Sequence, residues 1–208
     1  GTATVVIDLA RYDEADALLD QALATATEID GEQSTDVNRL RLLRGMMENR
    51  RARFSEAEHE FRSLMTARDT LSRENNIVLQ RELGHALSEL GRFDEAEVLI
   101  LSAISGQEET VGAASVVNLR LYGVAAEHYR RKDELVESLA YGEKIATIIR
   151  DDSRPLAWEG ALALLQYGHT LQALGRDTEA SAVLSQARAV LSETFGENDL
   201  RVTEIPSP

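Results

Sequence analysis

Two arginines and two histidines, Arg81 with His85 and Arg120 with His169, fall at matching places in a recurring pattern and are the side chains best equipped for recognition. A guanidinium presents a rigid fork that fits a carboxylate with two parallel hydrogen bonds. An imidazole can exchange a proton near neutral pH or bind a metal. The remaining histidines are His59 and His128, and none of the four stands in a His-Glu-x-x-His arrangement. The chain has no cysteine, so thiolate ligands and disulfides are excluded. We therefore expect no metal and no cofactor.

Acid–base catalysis needs two carboxylates desolvated in one cleft. The 36 Asp and Glu residues are spread along the chain, as on solvated helix faces. There is no Gly-rich phosphate loop, no Gly-x-Ser-x-Gly elbow and no kinase loop motif. The expectation is a protein that is not an enzyme.

Net charge is −14, from 22 basic and 36 acidic residues. Such a surface repels phosphate backbones and anionic lipid, so neither nucleic acid nor membrane is an expected partner. No apolar run approaches the ~20 residues that a bilayer crossing requires, and we expect a cytoplasmic protein. Of the basic residues only Lys132 and Lys144 are lysines, a bias that fits a GC-rich bacterial genome.

The elements that must position these side chains announce themselves by repetition. Tyr12-Asp13-Glu14-Ala15, Phe54-Ser55-Glu56-Ala57, Phe93-Asp94-Glu95-Ala96, Lys132-Asp133-Glu134-Leu135 and Asp177-Thr178-Glu179-Ala180 share one grammar. Their glutamates advance by 42, 39, 39 and 45 residues. A period of that size marks a solenoid whose units bury their apolar faces against neighbours. Twelve residues before the small or apolar fourth residue stand Ala3, Gly45, Gly84, Gly123 and Gly168. Glycine inside a helix costs about 1 kcal/mol relative to alanine, so glycines in phase predict a close approach between helices. We expect the pairs Gly45/Ala57, Gly84/Ala96, Gly123/Leu135 and Gly168/Ala180 to mark those contacts.

Apolar residues with helical spacing flank each landmark, for example Leu83, Leu87 and Leu90. Gly91 and Gly175 supply positive φ in tight turns. Asp13, Ser55, Asp94, Asp133 and Thr178 are expected as N-caps, Ser55 with Glu58 as a capping box and Phe93 with Val98 as a hydrophobic staple. Pro155 is expected to open a helix.

Leu-Gly-Arg-Phe-Asp-Glu-Ala at 90–96 and Leu-Gly-Arg-Asp-Thr-Glu-Ala at 174–180 resemble the tetratricopeptide repeat family. The longer period resembles the extended repeats of kinesin light chains and of bacterial signalling proteins. The resemblance implies an all-α, right-handed α-solenoid of about four to five stacked antiparallel hairpins in one domain, residues 1–204. It would comprise a partial repeat at 1–30, repeats at about 37–73, 76–106, 114–150 and 156–194, a partial link at 195–204 and a tail at 205–208.

It also implies that first helices line a concave groove. Residues flanking the glycines then give the partner-binding row Met46, Asn49, Arg81, His85, Ser88, Arg120, Val124, Glu127, His169 and Gln172, with Leu42 and Leu165 beside them. The function so implied is a non-catalytic scaffold that binds a peptide or protein segment, with an acidic segment as the candidate, as a region of a larger bacterial regulator such as a Ser/Thr kinase or transcription factor. The arginines could instead pair internally with Glu82, Glu89 or Glu127. The alternative function is self-assembly, a homodimer or larger oligomer formed through incomplete repeats at 1–10 and 195–208.

Overall fold

A computed structural model describes residues 12–203 and 205. The expected helix at 1–10, its landmark Ala3, and the tail residues 206–208 lie outside them. The described chain is helical: α1 (Tyr12–Asp30), α2 (Thr35–Arg50), α3 (Phe54–Thr66), α4 (Arg73–Glu89), α5 (Phe93–Val111), α6 (Leu119–Arg131), α7 (Leu135–Asp151), α8 (Trp158–Ala173), α9 (Asp177–Phe195) and the short α10 (Leu200–Thr203). Single 3-10 turns at Arg68–Thr70 and Val116–Asn118 precede α4 and α6. This is an all-α repeat fold, with no strand among the described residues. It groups into two compact units, Gly1–Ala103 and Ile104–Pro208.

The hairpins α2–α3, α4–α5, α6–α7 and α8–α9 close through one turn geometry. The amide of Arg53 donates to the Glu48 carbonyl at 2.9 Å, Arg92 to Leu87 at 2.8 Å, Glu134 to Tyr129 at 2.8 Å and Arg176 to Leu171 at 2.9 Å. Ahead of each donor sits a residue with positive φ: Ala52 (56°), Gly91 (75°), Asp133 (65°) and Gly175 (71°). This is a Schellman ending, in which a left-handed residue lets the chain reverse while satisfying the last helical carbonyls. Two of the four turns use glycine, as expected from the sequence. Asp133, expected as an N-cap, is instead a left-handed residue, a conformation that Asp tolerates by local hydrogen bonding.

These turns set the register of the repeat. Residues 53, 92, 134 and 176 are equivalent, and four residues later come Ala57, Ala96, Ser138 and Ala180, each donating its amide back to the first of its set. The expected landmarks Gly123 and Leu135 are therefore three residues early. The equivalent pair is Ala126 and Ser138, and the acidic residue in phase is Glu137. Ser138 is fully buried. Its hydroxyl donates to the Ala126 carbonyl at 2.7 Å and lies 2.8 Å from Thr170 Oγ1 on α8, so a polar atom at this small site has its hydrogen bonds made.

The glycines have a specific filler. A Cβ on Gly84 would lie 2.7 Å from Ile100 Cγ1 and 3.3 Å from the Ala96 carbonyl oxygen. One on Gly45 would lie 2.4 Å from Phe61 Cε1, and one on Gly168 2.5 Å from Leu184 Cδ2. Each filler stands 16 residues after its glycine, on the second helix of the same hairpin. In the α6–α7 hairpin the sizes are exchanged, with Ala126 on the first helix and Gly142 sixteen residues on. The room beside Gly142 is taken by the Tyr167 ring of α8, whose Cδ2 would lie 2.1 Å from a Cβ there. Gly123 serves a different contact, since its Cβ would lie 3.2 Å from Ala163 Cα on α8.

Several expected helix starts are corrected. The residues preceding α3, α7 and α9 are Arg53, Glu134 and Arg176, and none makes a side-chain cap. Asp13, Ser55, Asp94 and Thr178 lie inside the first turns, where carboxylates favour the positive end of the helix dipole. Side-chain caps occur on first helices instead, from Ser34 to the Val37 amide and from Ser72 to the Asn75 amide. Val98 is 68% exposed and staples nothing. α8 begins at Trp158, three residues past Pro155.

Glu58, expected in a capping box with Ser55, joins an ionic network in the first unit. Arg62 Nε donates to Glu58 at 2.6 Å and its Nη2 to Glu95 at 2.8 Å, while Arg92 reaches both carboxylates. Burial works against the Glu58 charge, but hydrogen bonds from Arg62 and Arg92 outweigh it and hold the carboxyl below its ordinary value of 4.5. A carboxylate with a lowered folded pKa stabilises above the unfolded value, and that contribution is lost as pH falls through the folded one. Stability should therefore fall as pH drops below about 4.5, and Glu58→Gln should flatten that slope in urea titrations at stepped pH. An unchanged slope would mean that the network has no thermodynamic weight. Ser138→Leu should cost about 1–3 kcal/mol by overpacking, whereas Val136→Ala, at a 75% exposed site, should stay within about 0.5 kcal/mol. Equal urea midpoints would restore the register with Leu135 in the small site.

Candidate functional site

In the first unit the expected groove row divides by depth. Arg81, Asn49 and Ser88 are 7%, 5% and 3% exposed. Arg81 donates through Nε and Nη2 to Glu82 Oε1 at 3.2 and 2.8 Å. Asn49 Nδ2 donates to Glu82 Oε2 and to the Glu82 carbonyl, both at 3.0 Å. This trio ties α2 to α4 and consumes the arginine fork inside the fold. The alternative of internal pairing with Glu82 is what the structure shows, and Arg81, Asn49 and Ser88 leave the candidate set. The reason is desolvation: a buried guanidinium without a carboxylate would cost several kcal/mol.

Met46 and His85 remain half-buried at the surface. The His85 ring meets Phe54 edge-on at 5.8 Å, and its Nε2 lies 3.8 Å from Glu89 Oε1 one turn away. A depression of about 440 Å³ in this unit is lined by Arg44, Glu48, Arg53, Ser55, Glu56, His59 and Glu60. Glu48, its one buried carboxylate, sits between Arg51 at 3.4 Å and Arg53 at 3.5 Å.

In the second unit, α6 and α8 approach closely at Gly123 and Ala163. Arg120, Val124 and Glu127 are half-buried, and Arg131, one turn beyond, is exposed. Leu162, Gln166 and His169 are half-buried on α8, with Ala173 exposed beyond them. Both sets advance by four, three and four residues, which keeps each on one face of its helix. The expected residues Arg120, Val124, Glu127 and His169 all belong to this face. Gln172 is also exposed, one position off the α8 set, and Leu165 is nearly buried at 9%.

The three-residue slip in register is what preserved the α6 choice. Positions three or four apart share a helix face, so Arg120, Val124 and Glu127 stayed on the accessible side although the landmark was wrong. Arg131, Leu162 and Gln166 were missed, and extending the stripe by one turn forward from Glu127 and two turns back from His169 finds them.

The chemistry of the α6–α8 face is mixed. Val124 and Leu162, next in sequence to the Gly123–Ala163 contact, are its apolar centre. Glu127 faces Arg131 at 3.7 Å. Between 119 and 132 the chain carries Arg120, Arg130, Arg131 and Lys132 against the single carboxylate Glu127, a reversal of its overall balance. The opposite face is sealed, with His128 only 1% exposed against Tyr129 at 5.1 Å.

Residues 80–116 match the tetratricopeptide repeat family model. No curated protein matches the sequence. Among solved structures the fold is similar to the nearly identical TPR-like repeats of a kinesin light chain from Podosopora anserina, with a TM-score of 0.66, 20% identity and 93% of each chain covered. It is also similar to BtubC (BKLC) from P. vanneervenii, with a TM-score of 0.68 and 15% identity over 99% of this chain and 80% of that one. No described helix is long and apolar enough to cross a membrane.

Replacing Arg81 by alanine should cost about 3–5 kcal/mol by stranding Glu82, while Arg120→Ala should cost about 0.5 kcal/mol or less. Thermal denaturation followed by circular dichroism measures both. Equal, small losses would return Arg81 to the set of surface ligands.

Proposed function

We propose that this tetratricopeptide-repeat chain is a non-catalytic scaffold that binds an extended acidic segment of another protein across the α6–α8 face of its second unit. The supporting observation is that Arg120 and Arg131, with Glu127 the one carboxylate of the α6 stripe, flank the apolar centre of Val124 and Leu162 in an otherwise acidic molecule. Opposite charge around an apolar contact favours encounter and orients a partner, and the packed contact at Gly123 and Ala163 supplies a rigid platform. Arg120 and Arg131 would meet carboxylates, His169 and Gln166 would meet main-chain groups, and small apolar side chains would cover Val124 and Leu162. In the first unit, taken by itself, Met46 and His85 are the surface candidates for partner contact.

Placement in a larger bacterial regulator, with a Ser/Thr kinase or transcription-factor domain, rests on the type of repeat alone. A partner's segment of alternating acidic and small apolar residues is the ligand class that this face fits.

Fluorescein-labelled peptides of equal length, one acidic, one basic and one neutral, test the reading by polarisation. The acidic peptide should bind at least about tenfold tighter than the basic one, a difference of ~1.4 kcal/mol, and more weakly as salt rises. Val124→Glu with Leu162→Glu should remove the binding and leave helicity intact. Binding that ignores peptide charge, or survives the double substitution, would contradict the proposal.

A further inference from the structure

A second cluster in the same unit lies away from the α6–α8 face. Lys144 Nζ sits 5.0 Å from the ring centroid of Tyr122 and 5.0 Å from that of Tyr141. The two rings are 5.8 Å apart and inclined at 42°, so they form a wedge that the ammonium fills. Glu108 Oε1 closes the third side, 3.8 Å from Nζ. Aromatic faces and a carboxylate around one point are the recognition elements for an organic cation, each ring acting within about 6 Å of the charge.

The wedge is preorganised. Tyr122 is fully buried, with its hydroxyl within hydrogen-bonding reach of Glu108 and 3.1 Å from the Ala113 carbonyl. Burial first, and then the hydrogen bond to Glu108, push that hydroxyl well above its ordinary pKa, so it remains a proton donor to the carboxylate. Tyr129 stacks on Tyr141 at 5.8 Å with planes 9° apart and helps to fix its orientation. The occupant is the loosest part. The Lys144 side chain is 49% exposed and its stem has four rotatable bonds. It is one of only two lysines among 22 basic residues, and an ammonium is compact enough to be replaced by another of its kind.

We propose that Tyr122, Tyr141 and Glu108 form a binding site for an organic ammonium group, with Lys144 as a resident occupant that a ligand's ammonium displaces. The site is separate from the proposed acidic-segment face and takes the opposite charge. A tethered occupant competes at a high effective concentration, so affinity in the native chain is suppressed and rises when Lys144 is withdrawn. The ligand is either a lysine side chain of a partner or a free quaternary ammonium compound, since both present the same charge to the same rings.

The test uses the full chain with ring-labelled tyrosine, whose five residues report separately by NMR. Tetramethylammonium chloride and the peptide Gly-Lys-Gly are titrated against sodium chloride at matched ionic strength. In Lys144→Ala, and in Lys144→Gln as an independent variant, the Tyr122 and Tyr141 signals should shift saturably. The dissociation constant should be at least about tenfold below that of the native chain. Adding Glu108→Gln should weaken binding several-fold, and Tyr12 and Tyr167 should not move. The tighter of the two probes assigns the source of the ammonium. If both variants keep native circular dichroism and show no saturable shift, or if all five tyrosines shift together, the site does not exist.

Discussion

The architecture depends on one steric exchange: a first helix gives up a side chain at one position, and a second helix fills the gap from sixteen residues further on. Gly45 receives Phe61, Gly84 receives Ile100 and Gly168 receives Leu184, each so close that a methyl group on the glycine would require the filler to move. Close packing makes such a contact sensitive to single methylene groups. The α6–α7 hairpin obeys the same constraint with the sizes redistributed. Ala126 there stands where the other first helices have glycine, and the room beside Gly142, sixteen residues on, is filled by the Tyr167 ring of α8. With helix spacing set this way, the Schellman turns at Ala52, Gly91, Asp133 and Gly175 follow as the short reversals that close each hairpin.

Polar atoms inside this framework align helices of neighbouring hairpins. Arg81, Glu82 and Asn49 hold α2 to α4 in the first unit, while Ser138 and Thr170 hold α7 to α8 in the second. Hydrophobic contact alone tolerates sliding, whereas directional hydrogen bonds with buried partners do not. Those same bonds remove the buried rows of the first helices from recognition. What remains for a partner is the shallower stripe, and in the second unit it combines the apolar pair Val124 and Leu162 with the basic run of α6. Buried Thr170 and the proposed recognition stripe of Leu162, Gln166 and His169 thus lie on different faces of α8.

Much of this was readable beforehand because steric rules leave marks in single residues. Glycines in phase, alanines twelve residues on, and Gly91 and Gly175 after helices each have one economical physical reading. The slip at 119–151 arose where the marks were exchanged, with Gly123 serving the α6–α8 contact while Ala126 and Ser138 took the places expected of glycine and alanine. A left-handed Asp133 read as a cap for the same reason, since Asp serves both roles. Burial of Arg81 was not legible, because a guanidinium beside a glutamate in sequence looks the same inside or outside a fold. The Lys144 wedge joins residues from three helices and has no local signature.

The size exchange itself is open to a direct measurement, the effect of Gly168→Ala on unfolding free energy in the native chain and in a Leu184→Ala background. Alanine is favoured over glycine in a helix by about 1 kcal/mol, yet its Cβ at 168 would lie 2.5 and 2.6 Å from Leu184 Cδ2 and Cγ. The substitution should destabilise the native chain and stabilise the Leu184→Ala variant, a reversal of sign. The same sign and size in both backgrounds would show that the glycine and its filler do not meet, and the steric account of the fold would be wrong.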